Sequence, residues 1–245
     1  MLYNLAQFMS SPHFSIFDDS DDHETDNYFL YSSHFEGNNS ENEVYSAALG
    51  LIQLINGASA INIGFNDYNN RGDISVRKLI YSKTDQPRDE NWHYANKDDN
   101  TPPSNPFIGK EDKSRHINPY SHLTTSLVEL SLENEDVFNI VRQVAFGFDW
   151  RNLYCIWDTV SYYCGGSKKA ISDLGLDEGK IKSFTGTVNN FEALGLDARH
   201  GVMGWKIPKK IVSHKDAIDI INEVVKAYLF NNYLVFIRKM KKEWV

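Results

Sequence analysis

The chain has 245 residues, 41% of them hydrophobic, and carries a formal net charge of −8. This length and composition suffice for one large or two small domains with a sizeable core, and they exclude a chain that is disordered throughout. No stretch approaches the roughly 20 apolar residues that a bilayer-spanning helix requires, and the start lacks the basic flank of a secretion signal. We therefore expect a cytoplasmic protein with no membrane association.

The charges are distributed unevenly along the chain. Residues 1–105 have 16 acidic and 6 basic side chains, whereas residues 199–245 have 10 Lys or Arg and 4 Asp or Glu. A basic end can attract phosphates while the acidic part limits non-specific adhesion. The alternative is a solubilising surface with a frayed basic tail, which we favour for residues 238–242 alone.

The N-terminal part has an α+β pattern. Residues 28–31 are aromatic and apolar enough for a strand. The apolar positions of residues 41–55 recur at three and four residues, which predicts a helix with Ser40 as N-cap and Gly57 as its stop.

A hairpin is predicted next. Residues 60–65 alternate as a strand does, and residues 74–81 can pair with them across the turn at 69–73. That turn contains an Arg-Gly-Asp triplet at residues 71–73. Turn chemistry explains the triplet better than an adhesion motif in a chain that we expect to be cytoplasmic.

The proline-rich stretch 82–120 predicts a long loop or linker between two domains. We expect an N-terminal α+β domain at 1–105, a linker and first helix at 106–133, and a C-terminal helical bundle at 134–245. His93 and His116 have no second ligand at a metal-site spacing, and the acidic run 18–26 lacks the glycine of a calcium loop, so neither predicts a metal site.

Helices dominate after residue 121. Predicted segments are 123–132, one capped by Asn134, one from Asp149 to Gly165, two short helices at 168–174 and 177–184, and a long one from a capping box at Ser213 to about residue 237. Arg151, Asn152 and Asp158 are left for a polar face. The two cysteines, Cys155 and Cys164, lie too far apart on one helix to bridge, and we expect reduced core thiols.

The segment 189–201 between these helices is the candidate site. Arg199 supplies a positive fork suited to a phosphate, and His200 can exchange a proton near neutral pH. Asn152 and Asn189 could orient this pair. The alternative is structural: Arg199 pairs with Asp197 or Glu192 to hold the loop, and His200 only hydrogen-bonds.

Basic and aromatic residues follow the Arg-His pair. Trp205 could stack on a base, and lysines that could contact phosphates lie at Lys206, Lys209, Lys210 and Lys215. The alternative is that these lysines are simply solvated. We predict a nucleic-acid-binding surface here and no cofactor. The chain has neither a phosphate-cradling glycine loop nor a nucleophile elbow, which argues against an ATPase and a serine hydrolase.

Three motifs carry a resemblance to a known group. They are Asp-Trp-Arg-Asn-Leu-Tyr at 149–154, Phe-Thr-Gly-Thr-Val-Asn at 184–189 and Asp-Ala-Arg-His-Gly at 197–201. In these motifs residues 134–237 resemble uncharacterised bacterial and phage proteins, and more distantly the HEPN superfamily of helical bundles. That resemblance implies a HEPN-like bundle, a role in antiphage defence or a toxin system, and a homodimer that cleaves RNA without metal.

The chain departs from the HEPN motif at one point. In that motif a His follows the Arg after several variable positions, whereas the next His after His200 is His214. The resemblance thus supports the fold more directly than the activity. We rank a component that binds nucleic acid, a nucleotide or a partner protein of the same system above the alternative, a metal-independent ribonuclease that uses Arg199 and His200.

Overall fold

The structure, a computed structural model, describes residues 2–9, 11, 13–18, 28–36, 40–68, 73–76, 79–81, 93–95, 102–107 and 122–241. It is an α+β protein, as predicted, in which two antiparallel strand pairs accompany a larger set of helices. The N-terminal elements are α1 (Leu2–Phe8), β1 (Phe14–Asp18), β2 (Tyr28–Ser32), α2 (Glu41–Ile63), α3 (Phe65–Tyr68), β3 (Leu79–Tyr81) and β4 (His93–Ala95). The predicted acidic run lies largely outside the described residues, as does His116.

The strand predicted at 28–31 is confirmed as β2. It pairs with β1 in a register that runs from Phe14 opposite Ser32 to Asp18 opposite Tyr28. The predicted hairpin is wrong, because residues 60–63 belong to α2 and β3 pairs instead with β4. Short apolar runs do not distinguish a buried strand from a buried helix by periodicity alone.

Helix α2 begins as predicted and ends later. The Ser40 hydroxyl accepts a hydrogen bond from the Glu43 amide at 3.3 Å. The helix then passes through Gly57 and ends at Ile63, before Gly64 with a φ of 104°. Gly57 is not a stop: a β-carbon there would lie 1.9 Å from the Val141 carbonyl oxygen, so this glycine permits close helix packing.

Because α2 is longer than predicted, its length also bears on the expectation that no segment could span a membrane. Over its 23 residues the helix is long and apolar enough to cross a bilayer by length and composition, so the expectation that no segment reaches this size does not hold. Within the protein, however, 78% of its apolar window is buried. These are the properties of a core helix.

The predicted C-terminal helices are confirmed with small changes of boundary. They are α4 (Leu123–Glu133), α5 (Glu135–Val144), α6 (Trp150–Tyr163), α7 (Ser167–Asp173), α8 (Glu178–Val188) and α10 (His214–Lys241). A further short helix, α9 (Phe191–Leu194), was not predicted. Ser213 caps α10 by accepting from the Asp216 amide at 3.1 Å. Asn134 does not cap α5 with its side chain, which donates instead to the Leu130 carbonyl of α4.

One hydrophobic core joins α2 to the C-terminal helices. Helix α2 packs on α4 and α5, and α6 packs on α5 and α10. Trp157 and Phe184 are among its largest fully buried side chains. The division of the chain at 106–133 stays a prediction. Contrary to expectation, Cys155 is exposed and Cys164 only half-buried; both are free thiols.

The Asp136 carboxylate on α5 forms hydrogen bonds with two tyrosines of α10. Asp136 accepts hydrogen bonds from the hydroxyls of Tyr228, at 2.5 Å, and Tyr233, at 2.7 Å. Burial, together with the hydrogen bond to Asp136, raises the pKa of both tyrosines above the ordinary range. The helix departs from helical geometry at Tyr233, so this anchor holds the residues around its kink.

Glu129 in α4 gives the core a pH dependence. It is 3% exposed, and its Oε2 has no hydrogen-bond partner among the described residues. Burial raises its pKa, and a hydrogen bond from Ser11 partly opposes that shift. Because the folded pKa lies above the unfolded one, the free energy of unfolding falls as the pH rises from the unfolded pKa to the folded pKa.

Substitution of Glu129 by Gln removes this charge. We expect Glu129→Gln to raise the free energy of unfolding at pH 7 by about 1 kcal/mol and to leave it almost unchanged near pH 4. Urea unfolding at the two pH values measures the difference. The exposed Glu133→Gln is the control, and a variant no more stable than wild type at pH 7 would contradict the assignment.

Candidate functional site

The candidate site lies on a loop that α8 and α6 hold in place. The side chain of Asn190 makes two hydrogen bonds at the start of this loop. Its Oδ1 accepts from the Ala193 amide at 3.0 Å, and its Nδ2 donates to the Lys206 carbonyl at 3.0 Å. Gly195, with a φ of 60°, then allows a 3₁₀ turn at Gly195–Asp197. The loop is therefore ordered by local caps before it reaches Arg199.

Arg151 on α6 anchors the loop from the other side. Its Nη2 donates to the Leu196 carbonyl at 2.9 Å, and its Nε donates to the Ala198 carbonyl at 3.3 Å. The Arg199 amide donates to the Val188 carbonyl at 2.8 Å, which fixes the backbone of the candidate residue itself. The sequence identified Arg151 only as part of a polar face, since its partners are backbone atoms 45 and 47 residues away.

Arg199 sits over an aromatic ring between an acid and an imidazole. Its Cζ lies 4.1 Å from the centroid of the Tyr154 ring, a cation–π contact. Its Nη2 lies 3.8 Å from Asp158 Oδ2, and its Nη1 lies 3.3 Å from His200 Nε2. The structural alternative predicted Asp197 or Glu192 as the acidic partner; within the described chain the ion pair is made with Asp158 instead.

The His200 imidazole lies between Arg199 and Trp205 and contacts both side chains. Its ring lies 5.6 Å from that of Trp205 in an edge-to-face arrangement, and the indole is 46% exposed. The structure thus brings Arg199, His200 and Trp205 into one contiguous patch. An exposed indole edge beside a guanidinium offers a stacking face next to a phosphate contact.

The segment from 201 to 213 contains no helix or strand and leads from the candidate loop to α10. It is held near its middle by Asn190 and near its end by the Val212 amide, which donates to Thr187 Oγ1 at 3.1 Å. Pro208 lies beside Gly186 of α8. No amide between 201 and 211 donates to a described backbone carbonyl, so this stretch is attached to the body at only a few points.

The charge of this segment is uniformly positive. Lys206, Lys209, Lys210 and Lys215 are all exposed. No acidic residue occurs between Ala198 and Lys215, in a protein whose net charge is −8. We name Arg199, His200, Trp205 and these four lysines the basic surface.

Apolar side chains project from the same segment. Those that are more than half exposed are Val202, Met203, Ile207 and Ile211, and Leu196 in the preceding 3₁₀ turn is exposed as well. Exposed apolar side chains grouped in this way are typical of a surface that contacts another macromolecule. They were not identified from the sequence, since their spacing has no helical or strand period that would show which side chains face solvent.

Neither candidate asparagine forms a side-chain hydrogen bond to Arg199 or His200 within the described residues. Asn152 donates from Nδ2 to the carbonyls of Gln143 at 2.9 Å and Gly147 at 2.6 Å, so its side chain holds the turn before α6. Asn189 ends α8, and its Oδ1 is buried with no hydrogen-bond partner among the described residues. A catalytic role for either side chain stays a prediction.

Within the described residues, no three His, Cys, Asp or Glu side chains form a group that could hold a metal ion. An open polar cavity of about 590 Å³ lies beside α6 and is bordered by Asp158, Gln143 and Tyr162.

No protein-family model, no curated protein and no solved structure matches this chain. The candidate site therefore has to be interpreted from its own chemistry.

Proposed function

We propose that this protein is a cytoplasmic, HEPN-like nucleic-acid-binding component of a bacterial or phage defence or toxin-type system, and that it holds single-stranded RNA on the basic surface. One observation supports this most directly: Arg199, His200 and Trp205 form one contiguous surface patch, which the chain continues into exposed lysines with no acidic residue between Ala198 and Lys215. Guanidinium and ammonium groups bind phosphates, and the indole stacks on a base. A homodimer is part of the same proposal and rests on the HEPN resemblance.

The role of Arg199 is testable by substitution. We expect Arg199→Ala to weaken binding of a labelled oligouridylate about 10-fold or more, because a charge-assisted phosphate contact contributes roughly 1.5–3 kcal/mol. Fluorescence anisotropy in EDTA measures the affinity. The control is Lys169→Ala, which removes one positive charge from α7, and equal affinities of Arg199→Ala and wild type would contradict the proposal.

A second candidate function is metal-independent cleavage of RNA. The 3.3 Å contact between Arg199 Nη1 and His200 Nε2 favours it, since it places a phosphate-binding group beside one that can transfer a proton. The same samples, run on a denaturing gel, decide between binding and cleavage. Cleavage by wild type that is lost in His200→Ala supports the enzyme; intact RNA supports a binding component.

The exposed apolar side chains support a protein partner as the remaining possibility. In that case purified protein shows no salt-dependent affinity for RNA, and Val202 and Ile207 take part in the contact. The binding measurement above separates this outcome from the proposed one.

A further inference from the structure

We propose that Asp158 is an internal competitor for Arg199 on the basic surface: it pairs with Arg199 in the free protein and has to be displaced by a ligand phosphate. This inference rests on the proposed function, since it concerns the same Arg199. It goes further because it gives Asp158, described above only as the ion-pair partner of Arg199, the role of an internal competitor for ligand phosphates.

The geometry of the pair allows such an exchange. Asp158 Oδ2 lies 3.8 Å from Arg199 Nη2, close enough for electrostatic attraction but too long for a hydrogen bond. The two side chains are 54% and 38% exposed, so solvent and solutes reach both of them. An exposed pair of this kind is weak, and a phosphate in hydrogen-bond contact replaces it readily.

The guanidinium itself stays in place when the carboxylate leaves. The Tyr154 ring lies beneath it, and that ring in turn faces Phe184, which is fully buried in the core. The backbone of Arg199 is fixed by its hydrogen bond to Val188. The edge of the guanidinium now facing Asp158 is therefore the edge that a phosphate would meet.

This arrangement disfavours ligands with a single phosphate. Such a ligand loses part of its binding energy at Arg199 to the displacement of Asp158, and it has no second phosphate with which to offset that loss. A polynucleotide makes the same exchange and also contacts Lys206 or Lys209, which have no carboxylate partner within ion-pair distance among the described residues. Asp158 therefore keeps mononucleotides weakly bound while polynucleotides bind through their additional phosphates.

The test compares wild type, Asp158→Asn, Arg199→Ala and the double variant in binding to a labelled oligouridylate and to uridine monophosphate in EDTA at low salt. Asparagine keeps the shape of the side chain, and Asp158→Ser serves as a second variant. The control is Glu223→Gln, which removes an exposed carboxylate paired with Lys180 on a different helix.

We expect Asp158→Asn to bind both ligands about 3- to 10-fold more tightly than wild type, with no such gain when Arg199 is already Ala. The inference is overturned if Asp158→Asn gains nothing, if Glu223→Gln gains as much, or if the gain persists without Arg199. If neither wild type nor Asp158→Asn binds RNA, the proposed function fails as well; if wild type binds and Asp158→Asn gains nothing, only the inference fails.

Discussion

Gly57→Ala is expected to destabilise the protein by roughly 3 kcal/mol or more, although alanine is the better helix former. The new β-carbon would lie 1.9 Å from the Val141 carbonyl oxygen, a backbone atom that cannot move without separating α2 from α5. This contact belongs to the core that also supports α6 and α10. Urea unfolding monitored by circular dichroism measures the loss.

Gly186→Ala is the matched control for this prediction. It also lies inside a helix, α8, but its β-carbon would meet Pro208 only at an ordinary contact distance of 3.7 Å. Here the usual helix preference applies, and we expect a change between zero and about 1 kcal/mol of stabilisation. If Gly57→Ala and Gly186→Ala change the free energy of unfolding equally, close helix packing is not the reason for a glycine at position 57.

Replacement of Lys206, Lys209 and Lys210 by Ala together is expected to weaken binding of oligouridylate about 10- to 100-fold at low salt. Because each phosphate neutralised on a single strand contributes about 0.7 to the slope of log K against log salt, the slope should become shallower by about 2. All three side chains are exposed, so we expect the fold to be retained.

The control for the lysine variant removes the same charge elsewhere. Lys168, Lys169 and Lys182 are exposed on α7 and α8, and their joint replacement by Ala changes the net charge equally. We expect it to alter the affinity less than 3-fold, as a general charge effect. A control variant that loses as much affinity as the lysine variant would show that net charge, and not the basic surface, determines binding.

The helices of the C-terminal half could be predicted because their signals are local. Asp149, Asp177 and Ser213 each accept hydrogen bonds from amides of the first helical turn, as capping residues do. The end of α2 could not be predicted, since a glycine that stops a helix and one that admits a neighbouring backbone look alike in the sequence. Only the position of Val141 distinguishes them.

The candidate site also has a part that could be predicted from the sequence and a part that could not. Arg199, His200 and Trp205 are close in the chain, and their proximity in space follows from the turn between them. Tyr154 and Asp158 contact Arg199 from more than 40 residues away, whereas the structural alternative named the nearby Asp197 or Glu192 as its partner. One signal was present: Arg151, Tyr154 and Asp158 recur at three and four residues, which places them on one face of α6.

The salt dependence of oligouridylate binding by the wild-type protein tests the central claim most directly. Affinities measured in EDTA over a range of monovalent salt should give a straight line of log K against log salt with a slope of about −2 to −3, as expected for three or four phosphates held by the basic surface. A flat line, or no binding at the lowest salt, would contradict the proposal that this surface holds RNA.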